Sequence, residues 1–352
     1  MKIFIVALGI CMIAATLIPF VRKEFWWIRV FDFPRLQIIS IAIVVFILFV
    51  IFYWDSGQFW ENFYMIILLA AILHQASVII PYSPLHKKQV IRCSEPFESI
   101  SFSLMVMNVL MPNRNSKKAL EIIKKNDPDI LIAVETDKWW KEQFKPIQEA
   151  YPYNVLVPLD NTYGMLLYSK HELIEPAVKY ILLEGVPSIH TRIKIDEATI
   201  TLYAVHPKPP APGHSEKSTA RDAELITIGK ETRNTEDPVI VAGDLNDVAW
   251  SYTTNLFQRF SELLDPRVGR GMFNTFNSKH VLLRWPLDHI FHSDHFQLVE
   301  IKRLEPFGSD HFPMFIKLCF KPDGRHKMDE PEADEEEVAF ARDKVDRAHS
   351  GE

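Results

Sequence analysis

Three long apolar stretches near the amino terminus constrain the fold of this chain more than any other feature. Residues 3–20, 36–54 and 63–80 are almost free of charged side chains, and each is 18 or 19 residues long. A helix needs roughly 20 apolar residues to cross the hydrocarbon core of a bilayer. Tryptophan and tyrosine, which favour the membrane–water interface, cluster at the ends of these stretches. The sequence therefore predicts a three-span transmembrane region within residues 1–91.

The distribution of basic residues around these stretches predicts an orientation. Lys and Arg are concentrated in the first loop and after the third span, whereas the second loop has none and the amino terminus has only Lys2. Basic loop residues are retained on the cytoplasmic side, so the bias predicts a cytoplasmic domain after the third span. Pairing with anionic lipid is the alternative. The residues are Arg22, Lys23, Arg29, Arg35, Lys87, Lys88 and Arg92.

Composition divides the rest of the chain into two parts. Residues 92–320 hold 26 Lys/Arg and 30 Asp/Glu, a net charge of about −4 with the mixed texture of a soluble globular domain. Residues 321–352 hold 6 Lys/Arg and 11 Asp/Glu, which predicts an acidic, disordered tail. The three cysteines (Cys11, Cys93 and Cys319) are too few for a disulfide framework or a thiolate metal site, and we assign them no role.

The segment 239–247 reads VIVAGDLND and gives the strongest local signal for chemistry. Four apolar residues of strand character lead into Gly243, and Asp244 and Asn246 follow two positions apart. Side chains at i and i+2 of an extended segment point to the same side. The strand therefore ends with a carboxylate and a carboxamide together, which suits binding of a phosphate or a metal-bound water. Gly243 allows close approach of a ligand to the backbone. A solvated turn is the alternative for this stretch alone.

Similar polar residues stand at or beside the edges of other predicted strands. Strands and helices alternate without a simple βαβ repeat, which indicates a layered α/β domain with mixed sheets. Any one of these residues could be an ordinary surface residue, but they converge if the strand edges share one rim. Their oxygen donors suit Mg²⁺ or Mn²⁺ and not zinc. The set is Asn108, Glu135, His206, Asp244, Asn246, Asp288, Asp310 and His311.

At these residues the sequence resembles the endonuclease/exonuclease/phosphatase superfamily, which has the deoxyribonuclease-I-like fold. The resemblance covers about residues 99–317, and GDLND together with the terminal GSDHFP is its most specific part. DNTYGM at 160–165, HPKPP at 206–210 and RWPLDHIF at 284–291 are similar to a bacterial membrane-bound branch with three spans before the domain. The resemblance implies a four-layer α/β sandwich of two mixed β-sheets flanked by helices in residues 92–320.

One motif of this set occurs twice. SDHF stands at 293–296, directly after LDHIFH, and again at 309–312, before Pro313 and the last apolar strand. We predict that the first copy lies in a hairpin turn. The resemblance places the catalytic pair at the second copy, in Asp310 and His311.

The resemblance also implies the ligands of a divalent ion. Glu135, with Asn108 and Asp310, would bind Mg²⁺, with Mn²⁺ as the alternative, and the ion would polarise a phosphoryl oxygen. Asp288 would hold the residues of the site in position without binding the ion or the substrate itself.

The remaining residues receive catalytic or substrate-binding roles from the same resemblance. Asp244 orients or deprotonates the attacking water, and Asn246 and His206 contact the phosphate. His311, oriented by Asp310, acts as base or charge stabiliser. Four arginines are candidate phosphate-binding residues, with a structural ion pair as the alternative for each. They are Arg221, Arg267, Arg270 and Arg284.

Three functions fit these observations. The favoured one is a membrane-anchored, divalent-metal-dependent phosphohydrolase that cleaves a phosphoester or pyrophosphate near the bilayer, with a lipid-linked phosphate as a candidate substrate. The first alternative is a membrane-tethered nuclease, which the negative net charge of residues 92–320 disfavours. The second is a non-catalytic membrane scaffold. The expected partners are the bilayer and the phosphorylated substrate, and the sequence indicates no protein partner.

Overall fold

The computed structural model describes residues 1–55, 57–93, 100–235, 237–320, 328 and 330–350. The helices in these ranges are α1 (Lys2–Leu17), α2 (Trp26–Arg29), α3 (Arg35–Phe52), α4 (Phe59–Ile79), α5 (Ser116–Asn126), α6 (Lys138–Gln143), α7 (Thr219–Arg233), α8 (Tyr252–Ser261) and α9 (Glu335–Ser350). The strands are β1 (Ile100–Asn108), β2 (Ile130–Val134), β3 (Tyr153–Val157), β4 (Met165–Ser169), β5 (Glu172–Lys179), β6 (Ser188–Ile195), β7 (Ala198–Val205), β8 (Val239–Asp244), β9 (Asp288–His292), β10 (Phe296–Arg303) and β11 (Met314–Phe320).

Helices α1, α3 and α4 form an apolar bundle at the amino terminus, as the sequence predicts. Each belongs to a segment long and apolar enough to cross a membrane, with mean hydropathy of 2.6, 2.7 and 2.2 in chain order. Their facing side chains pack around Phe49 and Leu68, and Gln75 of α4 donates a hydrogen bond to Thr16 Oγ1 at 3.0 Å. Many outward-facing apolar side chains are exposed, as expected of helices that are apolar all round and face lipid.

The loop between α1 and α3 lies against the α/β domain. The Ser218 amide donates to the Glu24 carbonyl at 2.9 Å, and the Trp26 amide donates to the Glu216 carbonyl at 3.0 Å. The indole Nε1 of Trp250 donates to the Asp32 carbonyl at 2.7 Å. The start of α3 and the end of α4 therefore adjoin the domain, on one side of the helical bundle.

Two of the basic residues in this loop are buried in an ion-pair cluster. Asp32 lies between Arg29, at 3.3 Å, and Arg35, at 2.7 Å, and all three side chains are almost fully buried. These guanidinium groups have a structural partner within the loop. They are therefore weaker evidence for orientation than free basic residues would be.

Two mixed sheets form the α/β domain, which confirms the predicted fold class. The first sheet has the order β10-β11-β1-β2-β4-β3, and the second has the order β5-β6-β7-β8-β9. Neighbouring strands are antiparallel except for β1 with β2 and β7 with β8, which are parallel. Parallel neighbours end at the same edge of a sheet. The carboxyl ends of these four strands thus carry five of the eight predicted polar residues, namely Asn108, Glu135, His206, Asp244 and Asn246.

Three apolar cores hold the four layers together. The largest lies between the two sheets and contains side chains such as Leu104, Leu202 and Ile240. A second core, around Trp140, lies between the first sheet and helices α5 and α6. A third, around Phe257, lies between the second sheet and helices α7 and α8. The apolar faces of α5 and α8 bury against the sheets, which follows from their helical periodicity.

Residues 335–350 of the acidic tail, which the sequence analysis predicts to be disordered, form helix α9 in the structure. Helix α9 packs on α7 and α8, with Ala341 buried between them. Lys344, also buried, forms ion pairs with Asp222 of α7 and with Glu24 Oε1, the latter at 3.1 Å. Residues 321–327, 329 and 351–352 of the predicted tail lie outside the described residues.

A disulfide joins Cys93 to Cys319, two cysteines to which the sequence analysis assigned no role. Their Cα atoms are 6.3 Å apart and 226 residues apart along the chain. Cys319 lies in β11, the penultimate residue of the domain's last strand, and Cys93 lies just after the third apolar segment. The bond therefore ties the entry of the domain to its final strand. Cys11 is free.

One local prediction differs from the structure. The first SDHF copy does not close a hairpin within one sheet. Residues 293–295 connect β9 of the second sheet to β10 of the first.

Candidate active site

The carboxyl ends of β1 and β8 face each other across the two sheets, and Asn108 joins them. Its Nδ2 atom donates to Glu135 Oε1 at 2.8 Å and to Asp244 Oδ2 at 2.9 Å. Asn108 is the last residue of β1 and is paired with Val134 of the parallel strand β2, so Glu135 follows directly beside it. Glu135 has a φ of 59°, an uncommon left-handed conformation for a residue other than glycine. The backbone there turns away from the strand, as at many functional sites.

Glycine is required immediately before Asp244. Gly243 has a φ of 151°, and a Cβ atom at this position would lie 1.8 Å from the Val205 carbonyl oxygen. Only glycine allows β7 and β8 to approach this closely at their carboxyl ends. The approach brings His206, which follows β7, near Asp244, and the distance between Nε2 and Oδ2 is 3.9 Å.

His311 is oriented by Asp288 and not by Asp310, contrary to the prediction. Its Nδ1 atom lies 2.8 Å from Asp288 Oδ2, and its Nε2 atom lies 3.6 Å from Asp244 Oδ2. Asp244 and Asp288 are partners in the register of β8 and β9, which explains why their carboxylates meet. The contact of Asp310 with its loop runs through its backbone carbonyl, which accepts from the Ser278 amide at 2.7 Å.

Burial and neighbouring charges give the two histidines opposite properties. Burial lowers the pKa of His311, but the carboxylates of Asp288 and Asp244 outweigh it and raise that pKa to about 10. Burial lowers the pKa of His206 to about 4, although Asp244 opposes this shift. His311 is therefore charged and His206 neutral near pH 7. Groups of one type with divergent pKa values are typical of acid–base sites.

The carboxylates of the site are also perturbed. Burial raises the pKa of Glu135 to about 7, against the hydrogen bond from Asn108. Burial raises the pKa of Asp244 as well, against the charge of His311. A buried group of acids with raised pKa values is a site at which a bound cation would compensate the desolvation cost.

The donor set fits a hard divalent cation. Among the described residues, Asp288 Oδ1 and Asp310 Oδ1 are buried and lack a hydrogen-bond partner. Ligand atoms of Asp244, Asp288 and His311 all lie within 4.8 Å of one another. His311 and Asp288 already bond to each other, so we regard that trio as a charge network. The Oδ1 atoms of Asp288 and Asp310, which take no part in that network, and the Glu135 carboxylate are better placed as ligands for an ion that prefers oxygen.

The arginines predicted to bind phosphate divide into two groups. Arg221 is fully buried, and its guanidinium is shared among Asp222 at 3.0 Å, Asp247 at 3.0 Å and the Asn246 carbonyl at 2.9 Å. Its assignment to substrate binding is wrong, because the donors that would reach a phosphate are used within the fold. Arg267 is likewise buried against Asp265, at 2.7 Å.

Arg284 and Arg270 are held by backbone carbonyls. Arg284 donates to the carbonyls of the loop at residues 277–280 and lies over the Phe312 ring, 5.0 Å from its centroid, beside His311. It is only partly buried, so its predicted role in substrate binding stays open. Arg270 donates to the carbonyls of Pro266 and Val90.

Asn246 lies at the site in a left-handed conformation with a φ of 54°. Its backbone amide donates to Asp244 Oδ1 at 2.9 Å, and its side-chain Nδ2 donates to the Pro207 carbonyl at 3.0 Å. These bonds fix the turn that follows β8 and connect it to the segment after β7. The predicted contact of Asn246 with phosphate remains a prediction.

Three residues of the site were not singled out from the sequence. Ser309 Oγ donates to the Asn108 carbonyl at 2.8 Å and accepts from the His311 amide at 3.0 Å. The Tyr163 ring lies 5.6 Å from the His206 ring, and the Phe276 ring lies 5.0 Å from the His311 ring. Ser309 and Tyr163 stand inside the GSDHFP and DNTYGM motifs, which could have indicated them. Phe276 has no such signal.

His295, in the first SDHF copy, lies elsewhere in the domain. It is buried and its Nδ1 atom lies 2.9 Å from Ser293 Oγ. The Ser293 amide donates to the carbonyl of Val239, the first residue of β8, whereas Asp244 is the last. Five steps along a strand separate the two ends by roughly 16 Å. The choice of the second copy for the site therefore agrees with the geometry.

The domain is a layered α/β sandwich of two mixed sheets, and buried carboxylates, a carboxamide and two histidines meet at one edge of it. Residues 105–311, more than half of the chain, match the sequence profile of the Endonuclease/Exonuclease/phosphatase family. The chain belongs to this family. No curated protein matches it in sequence.

Solved structures with the same fold share little sequence with this chain. D. rerio TDP2 complexed with single-strand DNA product has a TM-score of 0.53 and 15% identity, covering 62% of this chain and 98% of that one. An endonuclease/exonuclease/phosphatase family protein from Bacteroides thetaiotaomicron has a TM-score of 0.51 and 17% identity. The match covers 65% of this chain and 98% of that one. The human Nocturnin catalytic domain with bound sulfate has a TM-score of 0.50 and 18% identity. The match covers 68% of this chain and 99% of that one. At these identities the likeness shows the fold alone.

Proposed function

We propose that this chain is a membrane-anchored, divalent-metal-dependent phosphohydrolase. It cleaves a phosphoester or pyrophosphate of a substrate held close to the bilayer, with a lipid-linked phosphate as the favoured class. The observation that carries the proposal is a chain of side-chain contacts that combines buried acids with a charged imidazole. It runs from Glu135 through Asn108 to Asp244 by hydrogen bonds, continues to His311 by an ion pair, and ends at Asp288. Buried carboxylate oxygens without a hydrogen-bond partner, such as Asp288 Oδ1 and Asp310 Oδ1, cost stability unless a ligand compensates them, which favours an active site over a scaffold.

The ion-binding part of the proposed mechanism rests on three residues. Glu135, Asn108 and Asp310 would hold Mg²⁺, with Mn²⁺ as the alternative. The ion, when bound, polarises a phosphoryl oxygen and neutralises charge in the transition state. Among these three, Glu135 and Asp310 are the carboxylates. Burial raises the pKa of Glu135 to about 7, and a bound cation would lower it again.

The proton-handling part rests on the residues around Asp244. Asp244 orients the attacking water and accepts its proton. His311, positively charged with a pKa of about 10, stabilises negative charge or donates a proton, and Asp288 fixes its ring through Nδ1. His206, neutral at pH 7, and Asn246 donate to the phosphoryl oxygens. The raised pKa of His311 favours charge stabilisation over the role of base.

A row of aromatic rings supports a substrate close to the membrane. Phe33 lies next to Pro34, the N-cap of α3, and its ring is 5.7 Å from that of Trp285. Trp285 stacks on Phe276 at 6.1 Å, and Phe276 lies 5.0 Å from His311. Three ring contacts thus lead from the start of an apolar helix to the proposed catalytic histidine.

We further propose that the domain lies on the oxidising side of the membrane, opposite to the side predicted from loop charge. Two observations support this. The Cys93–Cys319 bond is of a kind that persists outside the cytosol and is rare within it. Arg29 and Arg35, half of the basic residues of the first loop, are buried with Asp32. For a chain in a bacterial inner membrane, this places the site outside the cytoplasm.

An activity screen tests the function. The full-length protein, in detergent and in vesicles, is incubated with Mg²⁺, Mn²⁺ or EDTA and with phosphatidic acid, inositol phosphates, pyrophosphate or single- and double-stranded DNA. We expect metal-dependent release of phosphate from a lipid-borne substrate, abolished in Glu135→Gln. Turnover of DNA alone would establish the nuclease alternative. Absence of metal-dependent turnover on every substrate, with the protein folded, would favour the scaffold and contradict the proposal.

A further inference from the structure

Three consecutive apolar residues project from the domain beside the candidate site. Val281, Leu282 and Leu283 are 76%, 82% and 46% exposed. We call them the apolar tip. They lie in the connection between α8 and β9, where the preceding residues Lys279 and His280 are also exposed. Isolated exposed apolar residues are common, but three in succession at the end of a loop indicate contact with an apolar surface.

The loop that carries the apolar tip is a hairpin closed by backbone hydrogen bonds. The Phe276 amide donates to the Trp285 carbonyl at 2.9 Å, and the Asn277 amide donates to the Leu283 carbonyl at 3.2 Å. The Arg284 guanidinium donates to the carbonyls of Asn277, Ser278 and His280 across the loop. A guanidinium that donates to several carbonyls of one loop fixes the conformation of that loop. The tip is therefore presented to its surroundings by a fixed backbone.

The tip lies at the end of a helix proposed to cross the membrane. The Gln37 side chain, in the first turn of α3, donates from Nε2 to the Leu282 carbonyl at 2.5 Å. Leu36, beside it, is 45% exposed. The tip is thus continuous with the outer surface of α3 on the side of the bundle that adjoins the domain. A bilayer that surrounds α3 up to its first turn also meets the tip.

The base of the same hairpin forms part of the candidate site. Ser278 donates from its amide to the Asp310 carbonyl at 2.7 Å and from Oγ to the Ser309 carbonyl at 2.5 Å. Phe276 contacts the His311 ring. A group inserted at the tip is therefore connected through a few residues to the backbone that positions His311.

From these contacts we propose that the apolar tip inserts into the bilayer that α3 crosses and holds the site at the level of the lipid headgroups. The substrate then reaches the site from within the membrane surface, as a phosphate carried by a lipid-embedded molecule. This second part rests on the proposed function, whereas insertion of the tip does not. Exposed Lys279 adds a positive charge at the headgroup level, which favours anionic lipid.

Insertion is tested without any activity. In full-length protein with Cys11→Ala, Leu282→Cys is labelled with an environment-sensitive fluorophore and reconstituted in vesicles of phosphatidylcholine and phosphatidylglycerol. Val178→Cys is the matched control, because Val178 is an exposed apolar residue (37%) on the edge strand β5. We expect quenching by lipids brominated on the acyl chain at position 282 and not at 178. Equal quenching of both labels by aqueous iodide, or a crosslink between two chains at position 282 without lipid quenching, would overturn the proposal.

The link to substrate is tested on the same protein. Replacing the tip by serine (Val281→Ser, Leu282→Ser, Leu283→Ser) should lower turnover of phosphatidic acid in vesicles by about tenfold or more. Turnover of soluble bis-p-nitrophenyl phosphate should stay within twofold, as should both activities of Val178→Ser. Equal loss on both substrates would contradict a membrane-specific role. If the wild type cleaves neither these compounds nor any substrate of the activity screen, the proposed function fails while the quenching result still decides whether the tip inserts.

Discussion

At the scale of single residues, the site combines one charged and one neutral histidine on either side of Asp244. His311 is held in the charged form by Asp288 and Asp244, whereas His206 has mainly burial to set its pKa. Two identical side chains thus acquire different chemistry from their surroundings. Glu135 differs from both, because it borders the charge network and its Oε2 atom accepts only a long hydrogen bond, at 3.4 Å from the Met111 amide.

Substitutions at Glu135 and His311 should separate the role of the ion from that of the imidazole. Glu135→Gln keeps the shape and removes a charge, so activity should fall steeply and recover in part at raised Mg²⁺ or Mn²⁺. The activity of His311→Ala should be about 10²–10⁴-fold below that of the wild type, and no metal concentration should restore it. His295→Ala, in the other SDHF copy, is the control and should cost little. An essential His295 with a silent His311 would show that the wrong motif copy was chosen.

Glu224 of α7 should make stability depend on pH. It is buried, its Oε1 atom lacks a hydrogen-bond partner among the described residues, and burial raises its pKa to about 8. A folded-state pKa above the unfolded value of 4.5 means that its contribution to stability is complete below pH 4.5 and is lost as the pH rises through 8. Glu224→Gln should therefore be more stable than the wild type at pH 9, by a few kcal/mol at most, but not at pH 4.5.

Thermal unfolding of the full-length protein across this pH range measures the effect. Glu197→Gln, an exposed glutamate in the turn between β6 and β7, is the matched control and should leave the profile unchanged. A difference between Glu224→Gln and the wild type that is constant with pH would show that Glu224 keeps the same protonation state throughout.

At the scale of elements, α9 is attached to the domain by apolar packing around Ala341 and by the ion pairs of one buried lysine. Lys344 reaches both Asp222 of α7 and Glu24 of the loop between α1 and α3. The pKa of Asp222 falls to about 2, because the charges of Lys344 and Arg221 outweigh the effect of burial. An acidic segment thus contributes a basic group to an acidic pocket, and the element stabilises the junction between the membrane helices and the domain.

Removal of the tail should lower stability and leave catalysis intact. Deletion of residues 321–352 exposes Asp222 and Glu24, but Arg221 still pairs with Asp222. We expect a loss of about 1–3 kcal/mol in the free energy of unfolding, below the full cost of breaking a buried pair. Turnover per folded molecule should be unchanged, because α9 packs on the outer helices α7 and α8.

Point variants in α9 distinguish the lysine from the rest of the helix. Lys344→Met should reproduce most of the loss in melting temperature, whereas Arg342→Met, at an exposed position of the same helix, should not. A collapse of specific activity in a deletion that remains folded would show that the tail takes part in catalysis.

At the scale of the whole molecule, the disulfide and the loop charges give opposite orientations. The bond is the stronger argument, since it concerns two residues 226 positions apart that meet only in the folded domain. Seven basic residues favoured the cytoplasm, but Arg29 and Arg35 have buried partners and a structural reason to be present.

Reporter fusions should place the domain on the oxidising side. A reporter active only in an oxidising compartment, fused after residue 320, should give a signal. The same reporter inserted at residue 57, between α3 and α4, should be silent, because that loop lies at the opposite end of the bundle. Cys93 and Cys319 should resist alkylation until a reductant is added. A signal from a cytoplasm-active reporter at residue 320, with both thiols free, would restore the orientation predicted from charge.

The sequence by itself determined the features that depend on near neighbours along the chain. Apolar runs of sufficient length defined α1, α3 and α4, and strands ending in Asn108, Asp244 and the residues after them defined the site. Polar residues at strand ends can be recognised locally because each lies within a short periodic segment. The choice of the second SDHF copy came from the resemblance to the family, and the structure brings its His311 beside Asp244 and Asp288.

Only the tertiary structure decided which of these side chains meet. Asp288 holds His311 because β8 and β9 are neighbours in one register, and this pairing is not written into either segment alone. Arg221 is a structural residue because Asp247 folds back onto α7. The bond between Cys93 and Cys319 and the ion pairs of Lys344 likewise join segments that are distant along the chain. Contacts between distant segments depend on how sheets and helices pack, and sequence spacing carries little information about that packing.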